Sequence, residues 1–269
     1  MVHRSLPIVH TLTASYRDWR RALSALRALA VITFFILAAL STFEEFIPQS
    51  LWDRSAIGQV LVLADDAIWV LLVTPVIMAV HRFVIQDVIT PGYALALGDP
   101  VYQRFFVWLL ALKVLSGLPF DLLGAMQALA WPLWASTLGL IVTLVAAIGL
   151  SLRLTILMPA LAVQAPGATA SHAIADSKGQ TLRLFAIFVL ALIPWAAVGL
   201  GGTLLLGRRI GVTGSPQMMI DLVMGGVLQT IVLTLSAVIA SRAFRSLAAA
   251  VNRAPKLAPA HPIGRRGAD

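Results

Sequence analysis

The 269-residue chain contains no cysteine, which excludes a disulfide framework, a thiolate metal site and a thiol nucleophile together. Charge is scarce as well. Only 12% of the residues are Asp, Glu, Lys or Arg, against roughly 25% in a soluble domain, while 59% are hydrophobic. So apolar a chain is neither a water-soluble globule nor a disordered segment. Also lacking are paired histidines at zinc-ligand spacing, a GxxxxGKS/T phosphate loop and a GxSxG elbow; His3, His10, His81, His172 and His261 are scattered through tails and loops. No catalytic residue, cofactor or metal ligand is assigned. The solvent this composition fits is lipid.

What the chain has is long apolar runs. A helix rises about 1.5 Å per residue and the hydrocarbon core is about 30 Å thick, so a crossing takes roughly 20 apolar residues. Six stretches meet that requirement: 28–48, 56–80, 104–125, 131–158, 184–206 and 217–240. They lack the alternation of barrel strands. The expected fold is all-α, a polytopic membrane bundle of six transmembrane helices in three antiparallel hairpins. Residues 1–27 form a basic amphipathic segment before it and 253–269 a disordered tail after it. Ser215-Pro216 marks the start of span six, with Asp221 near the positive end of its dipole. Pro75 and Pro119 are expected to kink spans two and three, because each removes a backbone donor.

Lys and Arg beside short loops are retained on the cytoplasmic side. With six spans, one side holds both tails and the loops 81–104 and 153–183, and carries sixteen basic residues; the other has only Arg54, Arg208 and Arg209. Lys113 lies within a span. Both termini are therefore expected in the cytoplasm, with an uncleaved first span. The formal charge of +8 becomes a basic inner surface, not a nucleic-acid patch.

Within the first segment, Arg17, Arg20, Arg21, Ser24 and Arg27 recur at three-to-four spacing and line one face of a helix, with Ser15 to Asp18 resembling a capping box. Two readings stand side by side. Either this helix lies on anionic lipid headgroups, with Arg17, Arg20, Arg21 and Arg27 as the contacts, or it is a juxtamembrane extension without lipid selectivity. The inner borders also share a pattern. Spans one, three and five begin at Arg27, Arg104 and Arg183, and spans two, four and six end at Arg82, Arg153 and Arg242. Three copies of one hairpin would produce it, and so would arginine snorkelling at each inner border.

An ionisable group inside hydrocarbon is costly and points to a pathway or a binding role. The candidates are Asp65, Asp66, Lys113 and Asp121. Asp65 is seventeen residues from Arg82, Asp121 seventeen from Arg104 and Glu44 seventeen from Arg27, about 25 Å of helix each, which sets these acids at one level. That level is either the outer membrane border or a true polar cluster. Lys113 is only nine residues above Arg104, about 13 Å, near mid-membrane. An ion pair with Asp65 or Asp66 then requires an uneven border or a kinked helix. The alternatives are an ammonium that snorkels past Trp108 or a neutral amine.

Gly199 and Thr203 in span five, and Gly226, Thr230 and Thr234 in span six, are spaced for close helix packing, with Gln229 placed for an interhelical hydrogen bond. After span four, Arg153 to Val163 continues to a break at Pro166-Gly167, and Thr169 to Arg183 reads as a short surface helix. Arg153, Met158-Pro159-Ala160, Ala170, Ile174, Asp176-Ser177-Lys178-Gly179 and Arg183-Leu184-Phe185, with His81-Arg82, carry a resemblance across residues 70–190. This stretch resembles the bacterial YciC-like family and the membrane domain attached to some glycerophosphodiester phosphodiesterases. That resemblance implies a bacterial inner-membrane helical bundle and brings no activity with it.

The expected function is a non-enzymatic accessory, scaffolding or lipid-interacting role. Its partners are the bilayer, anionic headgroups at the cytoplasmic face, and a second copy or another membrane protein. The alternatives are a small-solute or ion transporter built on the polar residues of spans two and three, and an embedded lipid-handling enzyme.

Overall fold

The computed structural model describes residues 6–46, 56–210, 215–249 and 251–252, and among these residues the chain is helical without a strand. The order is α1 (Ile8–Ala25), α2 (Arg27–Phe46), α3 (Ala56–Gln86), α4 (Pro100–Ala128), α5 (Leu133–Leu154), α6 (Leu157–Ala162), α7 (Ala170–Asp176), α8 (Thr181–Ile210) and α9 (Ser215–Leu247). Asp53, Arg54 and the tail 253–269 lie outside the described residues, as do the side chains of Glu44, Glu45, Thr203, Arg208, Arg209 and Asp221. Residues 56–64 form the first turns of α3 itself.

The six expected spans correspond to α2, α3, α4, α5 with α6, α8 and α9, with ends moved by up to seven residues. Five helical stretches are long and apolar enough to cross a membrane: Gly58–Gln86, Pro100–Ala128, Leu133–Ala162, Thr181–Gly202 and Val223–Leu247. A sixth exists if α1 and α2, bent by 91° at Leu26, count as one broken span. Large apolar side chains such as Phe35, Val107, Leu138 and Ile141 stand exposed on these helices. Water would not tolerate so continuous an apolar perimeter, whereas hydrocarbon does. The protein is a multi-pass helical membrane bundle.

Consecutive long helices pack as antiparallel neighbours, α2 on α3, α4 on α5 and α8 on α9, and α9 is central, touching α1, α2, α3 and α8. Its small residues explain that position. A Cβ at Gly226 would come within 3.1 Å of Phe34 and 3.3 Å of Ala38, so a larger residue would push α2 back by a few tenths of an ångström. Gln229 Nε2 donates to Ser41 Oγ at 3.3 Å across the same contact, the interhelical bond expected of it. Gly199 of α8 meets Leu228 of α9 in the same manner. Thr230 and Thr234 donate to the carbonyls one turn back, satisfying their hydroxyl protons within the helix.

One end of the bundle is tied by Arg82 of α3, Arg153 of α5 and Arg242 of α9. Arg82 Nε donates to the Ala162 carbonyl, Arg153 Nε to Thr181 Oγ1, and Arg242 pairs with Asp18, so each joins its helix to a different neighbour. They are not merely snorkelling. The segment after α6 closes the same end, with Gly167 N donating to Val251 O and Val251 N to Asp176 Oδ2. The surface helix expected over 169–183 ends earlier: α7 stops at Asp176, and a turn with Gly179 in the left-handed region (φ 77°) leads into α8.

The capping box expected from Ser15 to Asp18 is not formed. Pro7 precedes the first turn of α1, so the helix starts two turns earlier and both residues lie in its interior. Propensity favours Ser at a cap, but burial decides here. Thr11, Ala14, Ser15, Asp18, Trp19 and Ala22 form one face, packed against the bundle. Leu6, Trp19, Ala22 and Leu26 join the same core as Val73, Ile77, Leu235 and Ile239. The amphipathic segment is thus part of the packed structure.

Candidate functional site

Two polar regions stand out against the apolar background. The first lies between α3 and α4. Lys113 Nζ is 3.3 Å from Asp66 Oδ1 and 5.1 Å from the centre of the Trp69 ring, so the ammonium is shared between a carboxylate and an aromatic face. Asp65 precedes Asp66 on the same turn and is half-buried. Asp121 does not join them. It sits exposed eight residues further along α4, about 12 Å of helix from Lys113.

Counting residues from the arginine borders set Lys113 well below the acids, and the contact corrects that. The reason is the connection between α3 and α4. Residues 87–99 fold back beside α3, where Tyr93 Oη donates to Leu72 O at 2.7 Å, and Tyr102 in the first turn of α4 donates to Leu71 O at 2.8 Å. Leu71 is eleven residues from Arg82, about 16 Å along the helix and more than a tyrosine side chain spans. Helix α4 therefore starts alongside the middle of α3, and Arg104 is not level with Arg82. The pair is partly open, with 41% of the Lys113 and 20% of the Asp66 side chain exposed, and it lies on the perimeter of the bundle rather than along its axis.

The second region is the arginine-bearing end, where α1 is held. Asp18, 7% exposed, takes the Arg242 guanidinium, itself 20% exposed. Trp19 Nε1 donates to Thr234 Oγ1 at 2.9 Å and its ring meets Trp195 edge-on, with centroids 5.5 Å apart. Tyr16 Oη donates to Ala191 O at 2.7 Å. These contacts fix the roll of α1, and Arg17, Arg20 and Arg21 consequently emerge on its opposite, exposed face, with Arg27 exposed at the start of α2. Among the described residues Arg21 pairs with Asp87 at 3.5 Å, with its guanidinium 5.9 Å over Phe83.

One further contact, fully buried, leaves no mark in the sequence. His81 Nδ1 lies 2.7 Å from Ser241 Oγ, and Ser241 donates to Ala237 O at 2.8 Å. Both residues are buried, and the His81 ring packs beside Phe105. With His81 1% and Ser241 0% exposed, the pair ties α3 to α9 inside the bundle. A histidine and a serine 160 residues apart leave no local signal. Among the described residues no three His, Asp or Glu side chains are arranged to hold a metal ion.

No family model, curated protein or solved structure matches this chain.

Proposed function

We propose that the chain is a six-span protein of the bacterial inner membrane, with both termini in the cytoplasm, that gathers anionic phospholipid as a non-enzymatic accessory or scaffolding protein. One observation carries this reading. Helix α1 turns 91° from α2 and is locked by Asp18, Trp19 and Tyr16, so that Arg17, Arg20 and Arg21 project together from the side away from the bundle. A helix at that angle to a span lies in the plane of the interface, where each exposed arginine near an anionic surface contributes about 1 kcal/mol. The sixteen-to-three distribution of basic residues supports the orientation. The resemblance over 70–190 supports the bacterial inner membrane.

The test is native mass spectrometry of the protein released from nanodiscs of mixed phosphatidylglycerol and phosphatidylcholine. The protein is expected to keep phosphatidylglycerol above its bulk share, and a variant with Arg17, Arg20, Arg21 and Arg27 all changed to Gln to keep less. Retained lipid that mirrors the bulk in both proteins overturns the reading. Reporters fused after Leu95 and after Val212 are expected in opposite compartments; one compartment for both rejects six spans.

The transport alternative has one observation in its favour, the Lys113–Asp66 pair within apolar helices. It predicts solute or ion flux in proteoliposomes that is lost in Lys113→Ala and Asp66→Asn. The accessory reading expects the same low leak from all three proteins.

A further inference from the structure

The α4–α5 hairpin meets α8 only loosely, and a cleft of about 640 Å³ runs between them. Its walls include Ser116 of α4, Leu144, Ala147 and Ser151 of α5, and Phe188 and Ala196 of α8, and they are almost wholly apolar. The volume falls within the roughly 300–1,000 Å³ of small-molecule sites. On α8 the lining extends from Phe185 to Ala196, eleven residues or about 16 Å, close to the half-thickness of a hydrocarbon core of about 30 Å. At the arginine-bearing end, Arg153 follows the lining residue Leu152 on α5. Arg153 Nε is held by Thr181 Oγ1 at 3.3 Å, and Thr181 lies one turn before Phe185 on the same side of α8. That bond sets the guanidinium between α5 and α8, one turn beyond the lining residue Phe185. Its terminal nitrogens have no partner among the described residues.

We infer that this cleft is a site for a single phospholipid of the arginine-bearing leaflet, one acyl chain lying between α5 and α8 and the anionic headgroup on Arg153. Length, polarity and charge fit such an occupant together. The walls are apolar for one leaflet's depth, and Arg153 at their arginine-bearing end offers a cation suited to a phosphate. The headgroup part of this inference rests on the proposed preference for anionic lipid; the acyl part does not.

The test uses the full chain in nanodiscs of mixed phosphatidylglycerol and phosphatidylcholine, followed by native mass spectrometry with stepwise removal of lipid. The intact protein is expected to hold one lipid after the rest have left. Ala196→Phe fills the deep part of the cleft from an exposed position, and Ala147→Phe fills it from the α5 side. Each is expected to lower retention of that last lipid roughly tenfold, which is about what two buried methylenes contribute. Arg153→Gln is expected to leave one lipid in place while removing its preference for phosphatidylglycerol. Changing the four α1 arginines to Gln should leave the last lipid unaffected. If Ala196→Phe, folded as judged by its helical spectrum and thermal transition, keeps the last lipid as the unaltered protein does, the cleft is not the site, and the α1 reading stands or falls by its own variant. If the cleft variants lose the lipid but bulk composition is mirrored throughout, the cleft stands as an acyl site and the anionic preference falls.

Discussion

Tyr102 Oη donates to the carbonyl of Leu71 at 2.8 Å, and that carbonyl is the one which Pro75, having no N–H, leaves without its helical donor. The neighbouring carbonyl, Leu72, takes the Tyr93 hydroxyl, so both acceptors on the weakened turn are served from outside the helix. A similar arrangement recurs at Pro194 in α8, where Tyr16 donates to Ala191, three residues before the proline. The chain has three tyrosines, and each is spent on a proline turn. In hydrocarbon an unpaired carbonyl costs several kcal/mol, which explains why polar aromatics are placed there.

Tyr102→Phe is therefore expected to lower stability by about 1–3 kcal/mol, the penalty for stranding a buried acceptor. In a Pro75→Ala background the restored amide serves Leu71, and the same change should cost much less. Unfolding in bicelles by a graded denaturing detergent measures both steps. Equal costs in the two backgrounds would show that Tyr102 acts through its packing and not through the proline.

The Asp18–Arg242 pair holds α1 in place, and both side chains are largely out of contact with solvent. Asp18→Ala leaves the guanidinium buried without its carboxylate, a loss of about 3–5 kcal/mol. The double variant Asp18→Leu with Arg242→Met is expected to recover most of that. The exposed pair Arg21–Asp87 behaves differently: Asp87→Ala should shift stability by no more than about 1 kcal/mol. Trypsin offers a direct readout. Cleavage after Arg17, Arg20 and Arg21 should accelerate in Asp18→Ala and not in Asp87→Ala.

Ser15 lies in the same α1 face, fully buried, and its hydroxyl finds no partner among the described residues. Ser15→Ala removes an unsatisfied polar group and places the best helix former in mid-helix. The melting temperature should rise, by an amount worth about 1 kcal/mol. A fall would mean that the hydroxyl is satisfied by water and contributes to the seat of α1.

The long apolar helices were legible in the chain because hydropathy is a local property, and Gly226 and Gln229 were legible because close packing in lipid leaves so few residue types. What stayed hidden depends on distance along the chain. Pro75 announced a missing backbone donor, but nothing near it announced that Tyr93 and Tyr102 would serve the carbonyls there. Lys113 was misplaced in depth because counting from Arg104 assumes a level border, and the 87–99 segment carries the chain back before α4 begins. Asp18 read as part of a cap because serine and aspartate favour caps, whereas its partner is 224 residues away. The arginines of α1 were recognised as one face, but which way that face turns was set by Trp19 and Thr234.

Ala130 follows α4 in the left-handed region, with φ 53°. Its N–H donates to Gln127 O at 3.0 Å and the Trp131 N–H to Met126 O at 3.1 Å, the pair of bonds that closes a helix when the residue after the cap is left-handed. Glycine is the usual occupant, because a Cβ in that conformation costs about 1–2 kcal/mol. Ala130→Gly removes that strain and returns part of the gain as entropy of the unfolded chain, about 0.4–1 kcal/mol. A net rise in stability of roughly 0.5–1 kcal/mol is expected from this balance. Gly179 provides the reverse experiment. It has φ 77° and open space around it, so Gly179→Ala meets no neighbour and should lower stability by backbone strain alone. Opposite signs for the two substitutions in one thermal assay are the expected result; the same sign would show that the turn at Ala130 is maintained by the Trp131 contact and not limited by its backbone.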